Sequence, residues 1–285
     1  MKTGSPTFLG VLTFVAVLLL SASALPALQK KPAKFLGQPD RFTDIGVREP
    51  SGVAYDTRTK HLFVVGDEGS LVELDKNARV FKTRDVKGNL EDLAVHTPTG
   101  NLLLLSEKKS ELILYDPARG QELRRWKMSR GKLLGEEHGE KNAGFEGLAF
   151  REDRTREGGG IFYLLHQSMP EMLIGLTLDL DAPSGPLKAS VVSRFILTEK
   201  NTKAAAYVPS LDRLLVLSGK KGIVVLRMDG TAEAEIKLGG DQPEGMCLDG
   251  DGNLWVAEDR GKELLRFKGA LEALSDHLRD APRKN

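Results

Sequence analysis

Gln242-Pro-Glu-Gly-Met-Cys-Leu-Asp-Gly-Asp-Gly-Asn-Leu-Trp255 reads as an acid, a short apolar strand, a glycine-rich turn and a second apolar strand. The first half of the phrase returns as Phe145-Glu146-Gly147-Leu148-Ala149-Phe150, and more loosely as Leu90-Glu91-Asp92-Leu93-Ala94-Val95 and Pro50-Ser51-Gly52-Val53-Ala54-Tyr55. Ser51, Glu91, Glu146 and Glu244 hold the same place in each copy, at separations of 40, 55 and 98 residues. The last gap spans two units. Midway through it lies Lys203-Ala204-Ala205-Ala206-Tyr207, with Ala206-Tyr207 matching Ala54-Tyr55. Self-similarity at a period of roughly 40–50 residues is the signature of a repeat architecture.

Working outward from the marker, each unit continues in the same way. A turn leads to an apolar run such as Leu62–Val65 or Leu102–Leu105, then to an alternating strand such as Leu71–Leu74 or Leu112–Tyr115, then to a fourth segment such as Arg79–Lys82 or Glu122–Trp126. Four short strands per unit without helical periodicity describe a propeller blade. Five units predict an all-β fold, a five-bladed β-propeller, with blades near 49–88, 89–129, 145–198, 202–239 and 242–268. The last unit has only three strands, whereas the segment 41–46 has no partner of its own. Joining them closes the ring and removes two open sheet edges, so the N-terminal strand is expected to complete the last blade. Ala270–Arg279 places Leu271, Leu274 and Leu278 on one helical face and predicts a short C-terminal helix. One position is small in every unit, as Ala54, Ala94, Ala149, Ala206 and Cys247, which predicts a close approach there and makes the lone cysteine a buried hydrophobe.

The ends and the composition bound the function. Residues 1–24 carry one lysine, an apolar run and the small residues Ala22-Ser23-Ala24, as a secretory signal with its cleavage site would. The apolar character continues to Leu28, so residues 8–28 are also long enough for a retained membrane anchor. Either way the remainder is expected outside the cytoplasm, periplasmic or secreted, or held at the inner membrane. Residues 25–40 read as a polar spacer, and 41–285 as the propeller domain. With 41 basic against 40 acidic residues there is no global field to recruit nucleic acid. No H-E-x-x-H or G-x-S-x-G motif is present, which argues against a zinc protease or a serine hydrolase. Asp249-Gly-Asp-Gly-Asn lacks the closing glutamate of a helix-flanked calcium loop and reads as a β-turn. The basic run Arg124–Lys132, with Trp126, reads as an exposed blade edge.

The first strand of each blade lines the central channel, so the markers ring one of its mouths. They are joined there by the residues that end the second strands: Asp67, Glu107, Gln167, Gly219 and Asp259. Glu91, Glu146 and Glu244 would lie close together, and crowded carboxylates hold either protons or a cation. Oxygen donors without thiolates favour a hard ion such as Ca2+. The plain alternative is that each glutamate caps its strand or pairs with an arginine. His166, at a second-strand end, is a candidate pocket base, and Arg130–Gly144, with Glu136, Glu137, His138 and Glu140, is an insertion on the same side.

The order Glu49-Pro-Ser51-Gly52, Leu90-Glu91, Gly144-Phe-Glu-Gly-Leu-Ala149 and Gln242-Pro-Glu244-Gly245 resembles the SdiA-regulated protein family over roughly Pro50–Phe267. The resemblance implies a five-bladed propeller distantly related to NHL repeats, behind an N-terminal membrane segment, with a calcium site and no established enzymatic activity. Carried onto this chain, the calcium residues are Glu91, Glu146, Glu244 and Glu49. The fourth blade departs from the pattern: Asn201-Thr202-Lys203-Ala204 stands where the family tends to have an acid followed by Ser-Gly. Ser218-Gly219-Lys220-Lys221 likewise lacks an acid.

Two functions follow. The first is an exported binding module with calcium at the channel mouth and an unidentified small ligand or protein partner. The alternative is a calcium-dependent hydrolase of lactones, esters or phosphoesters, which rests on analogy of fold and has only His138, His166 and the ring acids as candidate bases.

Overall fold

A computed structural model describes residues 31–135, 144–219, 222–239 and 241–279. The apolar segment 8–28 and the candidates Glu136, Glu137, His138 and Glu140 lie outside the described residues. Among the described residues, no helix is long and apolar enough to cross a membrane.

Five antiparallel sheets follow one another along the chain as the blades of a propeller. The first is Pro50–Asp56, His61–Gly66, Ser70–Leu74 and Val80–Asp85, and the second is Leu90–His96, Asn101–Ser106, Glu111–Asp116 and Gln121–Lys127. The third is Phe145–Glu152, Gly160–His166, Met172–Leu178 and Ala189–Ile196, and the fourth is Thr202–Val208, Arg213–Ser218, Gly222–Leu226 and Ala232–Lys237. The fifth is Pro243–Leu248, Leu254–Glu258 and Glu263–Phe267, completed by Asp40–Phe42 from the start of the chain.

The core is divided among the five gaps between blades, each filled by its own apolar cluster. Successive strand residues point to opposite faces, so Val53 packs toward the fifth blade and Ala54 toward the second. Second strands have a blade on either side, which is why Leu102–Leu105 is an unbroken apolar run with every residue fully buried. The small residue repeated in each unit faces the next blade in all five cases, as Ala54, Ala94, Ala149, Ala206 and Cys247.

Ring closure uses Asp40–Phe42, which pairs antiparallel with Glu263–Phe267 in the register Asp40 to Arg266 and Phe42 to Leu264. Arg266 fastens it: the guanidinium donates to Asp40 Oδ2 at 2.6 Å and lies 5.0 and 5.3 Å from the rings of Phe42 and Trp255. Arg41 pairs with Glu263. Only Arg41 and Phe42 of the expected 41–46 segment form ladder bonds, joined by Asp40, and Ile45 and Val47 instead bury their side chains in the closing gap. The C-terminal helix spans Ala270–Arg279, with Leu274 buried and Leu271 and Leu278 packed on the gap between the fourth and fifth blades.

Three features differ from expectation. The spacer is not all irregular, because Lys31–Phe35 adds a parallel fifth strand outside Ala232–Lys237. Gly185–Pro186 adds a similar parallel strand outside Gln121–Lys127. That addition corrects the exposed-edge reading of the Trp126 run: Trp126 is 1% exposed, and its indole N–H donates to the Ala182 carbonyl at 3.2 Å. Fifth strands of this kind satisfy edge amides that a four-stranded blade leaves open.

Candidate functional site

The pairing of inner and second strands slips by one residue at the same place in every blade: between Pro50 and Gly52, Leu90 and Asp92, Phe145 and Gly147, Thr202 and Ala204, and Pro243 and Gly245. Two inner-strand residues therefore oppose one partner, which is a β-bulge, and a bulge re-aims the side chain of its extra residue. Those extra residues are Ser51, Glu91, Glu146, Lys203 and Glu244, so the marker of each repeat is the bulged residue of its blade.

The residue after each bulge explains the recurrent Glu-Gly pair. A Cβ on Gly245 would lie 2.5 Å from the Ser51 carbonyl oxygen, and one on Gly52 would lie 2.6 Å from the Asp92 Cα. On Gly147 it would lie 3.0 Å from the Ala204 Cα. Inner strands thus touch backbone to backbone just below the markers, which draws the five side chains into one ring. Asp92 takes the glycine position in the second blade. It is 2% exposed, accepts the Leu93 amide at 2.8 Å and the Leu148 amide at 2.7 Å, and so ties the second inner strand to the third. Burial drives its pKa well above the ordinary aspartate range, although the two amides pull it down.

A second row stands beside the ring. Asp67, Glu107, Gly219 and Asp259 each donate a backbone N–H to the residue two before the marker, Glu49, Asn89, Asn201 and Gln242, at 3.0–3.3 Å. Among the described residues the mouth consequently gathers six acids, Asp67, Glu91, Glu107, Glu146, Glu244 and Asp259, around one cation, Lys203.

The electrostatics follow from that imbalance. Burial pushes Glu91 up to about 9, with the charges of Asp67, Glu146, Glu107 and Glu244 adding to it. Glu146 is raised to about 7, first by burial and then by Glu107 and Glu244, while Lys203 pulls it back. The Glu107 carboxyl is thus one of the neighbours that hold Glu146 above the ordinary glutamate range. Glu244 is raised by burial against the opposing pull of Lys203, whose Nζ lies 3.1 Å from Glu244 Oε2. Lys203 feels burial as a downward force, but Glu244, Glu146 and Glu91 outweigh it and raise its pKa. Gln167 bridges the cluster in the amide orientation that satisfies both its ends, donating to Glu146 Oε1 at 3.2 Å and accepting from Lys203 Nζ at 3.3 Å. At Ser51 the hydroxyl donates to Asp67 Oδ1 at 2.6 Å.

Glu91, Glu146, Glu244, Lys203, Asp67, Glu107, Gln167 and Asp259 are therefore one assembly. Glu49 stands apart: its side chain is exposed, and it offers the cluster only its backbone carbonyl, to Ser51 Oγ and the Asp67 amide. His166 is 4% exposed with its ring edge-on to Phe145, packed between blades and not on the open rim. Sequence reasoning missed the carboxylates that hold the loops entering the ring. Glu171 accepts the Asn201 amide at 2.6 Å and the Thr202 amide at 2.9 Å, fixing the approach to Lys203. Glu258 accepts the Asp241 amide at 3.0 Å and the Gln242 amide, fixing the approach to Glu244. Ala257-Glu258-Asp259 carried a signal for the second, an acid one residue before the rim position; Glu171 follows a proline in a loop and carried none.

The described residues do not form a calcium cage. Among the described residues, no three His, Cys, Asp or Glu side chains converge in a group that could hold a metal ion. Glu244 is committed to Lys203 at 3.1 Å, and Glu146 to Gln167 at 3.2 Å. Calcium needs six to eight oxygens at about 2.3–2.6 Å, and here an ammonium occupies the side of the ring that the fourth blade would supply.

The SdiA-regulated family profile matches residues 43–268. No curated protein matches the sequence. Among solved structures, glutaminyl cyclase of Myxococcus xanthus superposes with a TM-score of 0.56 at 12% identity, over 83% of this chain and 97% of that one. A calcium-binding protein of Agrobacterium tumefaciens, regucalcin, superposes with a TM-score of 0.51 at 16% identity, over 83% and 95%. At such identities the likeness is one of fold.

Proposed function

The chain belongs to the SdiA-regulated family, and on that premise we propose that it is an extracytoplasmic binding module, released or tethered by residues 8–28, that takes its ligand at the acid-ringed mouth. The observation that carries this reading is the charge imbalance: among the described residues six carboxyl groups face one ammonium, and Glu91 is pushed up to about 9 by burial and by the neighbouring charges of Asp67, Glu146, Glu107 and Glu244. An amine or guanidinium entering the mouth would supply that charge, and partial burial strengthens the attraction relative to open water. The bearer of the charge is a small molecule or a basic side chain of a protein partner. A catalytic reading gains no support from His166, which is packed between blades.

Calorimetric titration of the mature chain with spermidine tests the proposal. Binding of a cation favours ionised carboxylates, so affinity should rise with pH between about 7 and 9, where Glu146 and Glu91 lose their protons. Glu146→Gln and Glu91→Gln should each weaken binding about tenfold, on the order of one charge-assisted contact. Binding that is absent, or indifferent to both substitutions, would remove this mouth as the recognition surface.

A further inference from the structure

We propose that Lys203 is a tethered counter-cation that replaces a divalent metal ion in this ring, so that the assembly of the channel mouth is independent of calcium. The inference rests on the same mouth as the binding reading but not on any ligand.

Three observations carry it. The five bulges make the ring positions equivalent, and Lys203 is the cationic one among Ser51, Glu91, Glu146 and Glu244. Its ammonium is turned inward, at 3.1 Å from Glu244 Oε2 and 3.3 Å from the Gln167 amide oxygen, with the side chain 20% exposed. The second-row position of its own blade is Gly219, which has no side chain to donate to a metal or to compete for the ammonium. A lysine ammonium carries three donors and a single charge, enough to join Glu244 and Gln167 but half the charge of calcium. The entry loop is fixed as well, since Glu171 accepts the Asn201 and Thr202 amides and so sets where the next residue, Lys203, emerges.

Substituting Lys203 by an uncharged residue should therefore open a divalent-cation site. Lys203→Gln is one atom shorter, uncharged and adds an amide oxygen; Lys203→Ser places in the fourth blade the residue type that the first blade has at Ser51. Lys203→Arg keeps the charge and serves as the control.

The experiment is calorimetric titration of the mature chain with calcium chloride, with thermal unfolding followed in calcium and in EGTA. The parent and Lys203→Arg should bind no calcium up to the millimolar range and melt at the same temperature in both buffers. Lys203→Gln or Lys203→Ser should bind at least tenfold more tightly than the parent and melt higher in calcium. Calcium binding by the parent as tight as by the uncharged variants would overturn the proposal. So would two folded, uncharged variants that bind none. If either variant folds poorly without metal, rescue of its melting transition by calcium but not by magnesium supports the proposal, and absence of rescue in both counts against it. Spermidine titration of the parent is read separately, so loss of the binding reading leaves the calcium comparison intact.

Discussion

Lys203 Nζ lies 3.1 Å from Glu244 Oε2, an ion pair between the bulged residues of two neighbouring inner strands. Because the same ammonium pulls the Glu146 carboxyl down, its removal should be read most directly at Glu146. In Lys203→Gln we expect the midpoint of Glu146 to move up from about 7, by one unit or more, on the order of a single close charge in a partly buried site. Carboxyl-detected NMR titration gives the answer, and an unmoved midpoint would show that the lysine points elsewhere in solution.

Glu91 should make stability depend on pH. Its folded pKa of about 9 lies above the ordinary 4.5, so the folded state holds the proton more tightly than the unfolded chain. Stability from this group is complete below about 4.5 and declines as pH rises toward 9. Glu91→Gln removes the dependence, and the variant should melt with the parent near the lower limit and above it near the upper. Recovery of ~1 kcal/mol corresponds to about 2–4 °C at this chain size. Parallel melting curves across that range would contradict the assignment.

Asp92 tests the staple between the second and third inner strands. Asp92→Ala leaves two buried amides, those of Leu93 and Leu148, without an acceptor, at a cost of about 2–4 kcal/mol in urea unfolding. Asp92→Asn keeps one acceptor oxygen but sets its NH2, a donor, against the other amide, so it should cost less than alanine, about 1–2 kcal/mol. Equal losses for the two would mean that charge, not the acceptor, holds the strands.

Gly245→Ala probes the close approach of the fifth and first inner strands. The added methyl would meet the Ser51 carbonyl at 2.5 Å and the Gly52 Cα at 2.7 Å, both backbone atoms that cannot turn aside. We expect a loss of about 3 kcal/mol. Gly131→Ala, where a Cβ meets nothing within 4 Å, should be neutral or slightly stabilising in its helix. Comparable melting temperatures for the two variants would refute the contact.

Arg266→Ala removes the bonds to Asp40 and the stacking on Phe42 and Trp255. It should cost about 1–2 kcal/mol. Amide exchange of residues 40–42 should quicken first, because the Arg266 side chain fastens that strand through Asp40 and Phe42.

Much of this was legible before any coordinates. The repeated apolar runs gave the blades, since a strand covered on both faces has no reason to alternate. The three-strand final unit pointed to closure by the N-terminal segment. The rim position was readable too, because Asp67, Glu107 and Asp259 each stand one residue beyond an apolar run. Asp92 was not, since it sits in the glycine place of a loosely matched repeat and its partner, the Leu148 amide, belongs to the next blade. Nor was Trp126: its cover comes from residues 182–186, a connection whose course no periodicity describes.

The sequence by itself determined the propeller, its number of blades and the equivalence of Ser51, Glu91, Glu146, Lys203 and Glu244, because those follow from spacing and from which residues must be buried. Only the tertiary structure decided what the equivalence means. A bulge in each blade turns the five side chains inward, and glycine contacts bring the strands close enough for charges distant in sequence to act on one another. Whether an acid there holds a proton, a metal or a lysine is set by the charge of its neighbours and by its distance from water, and neither quantity is written along the chain.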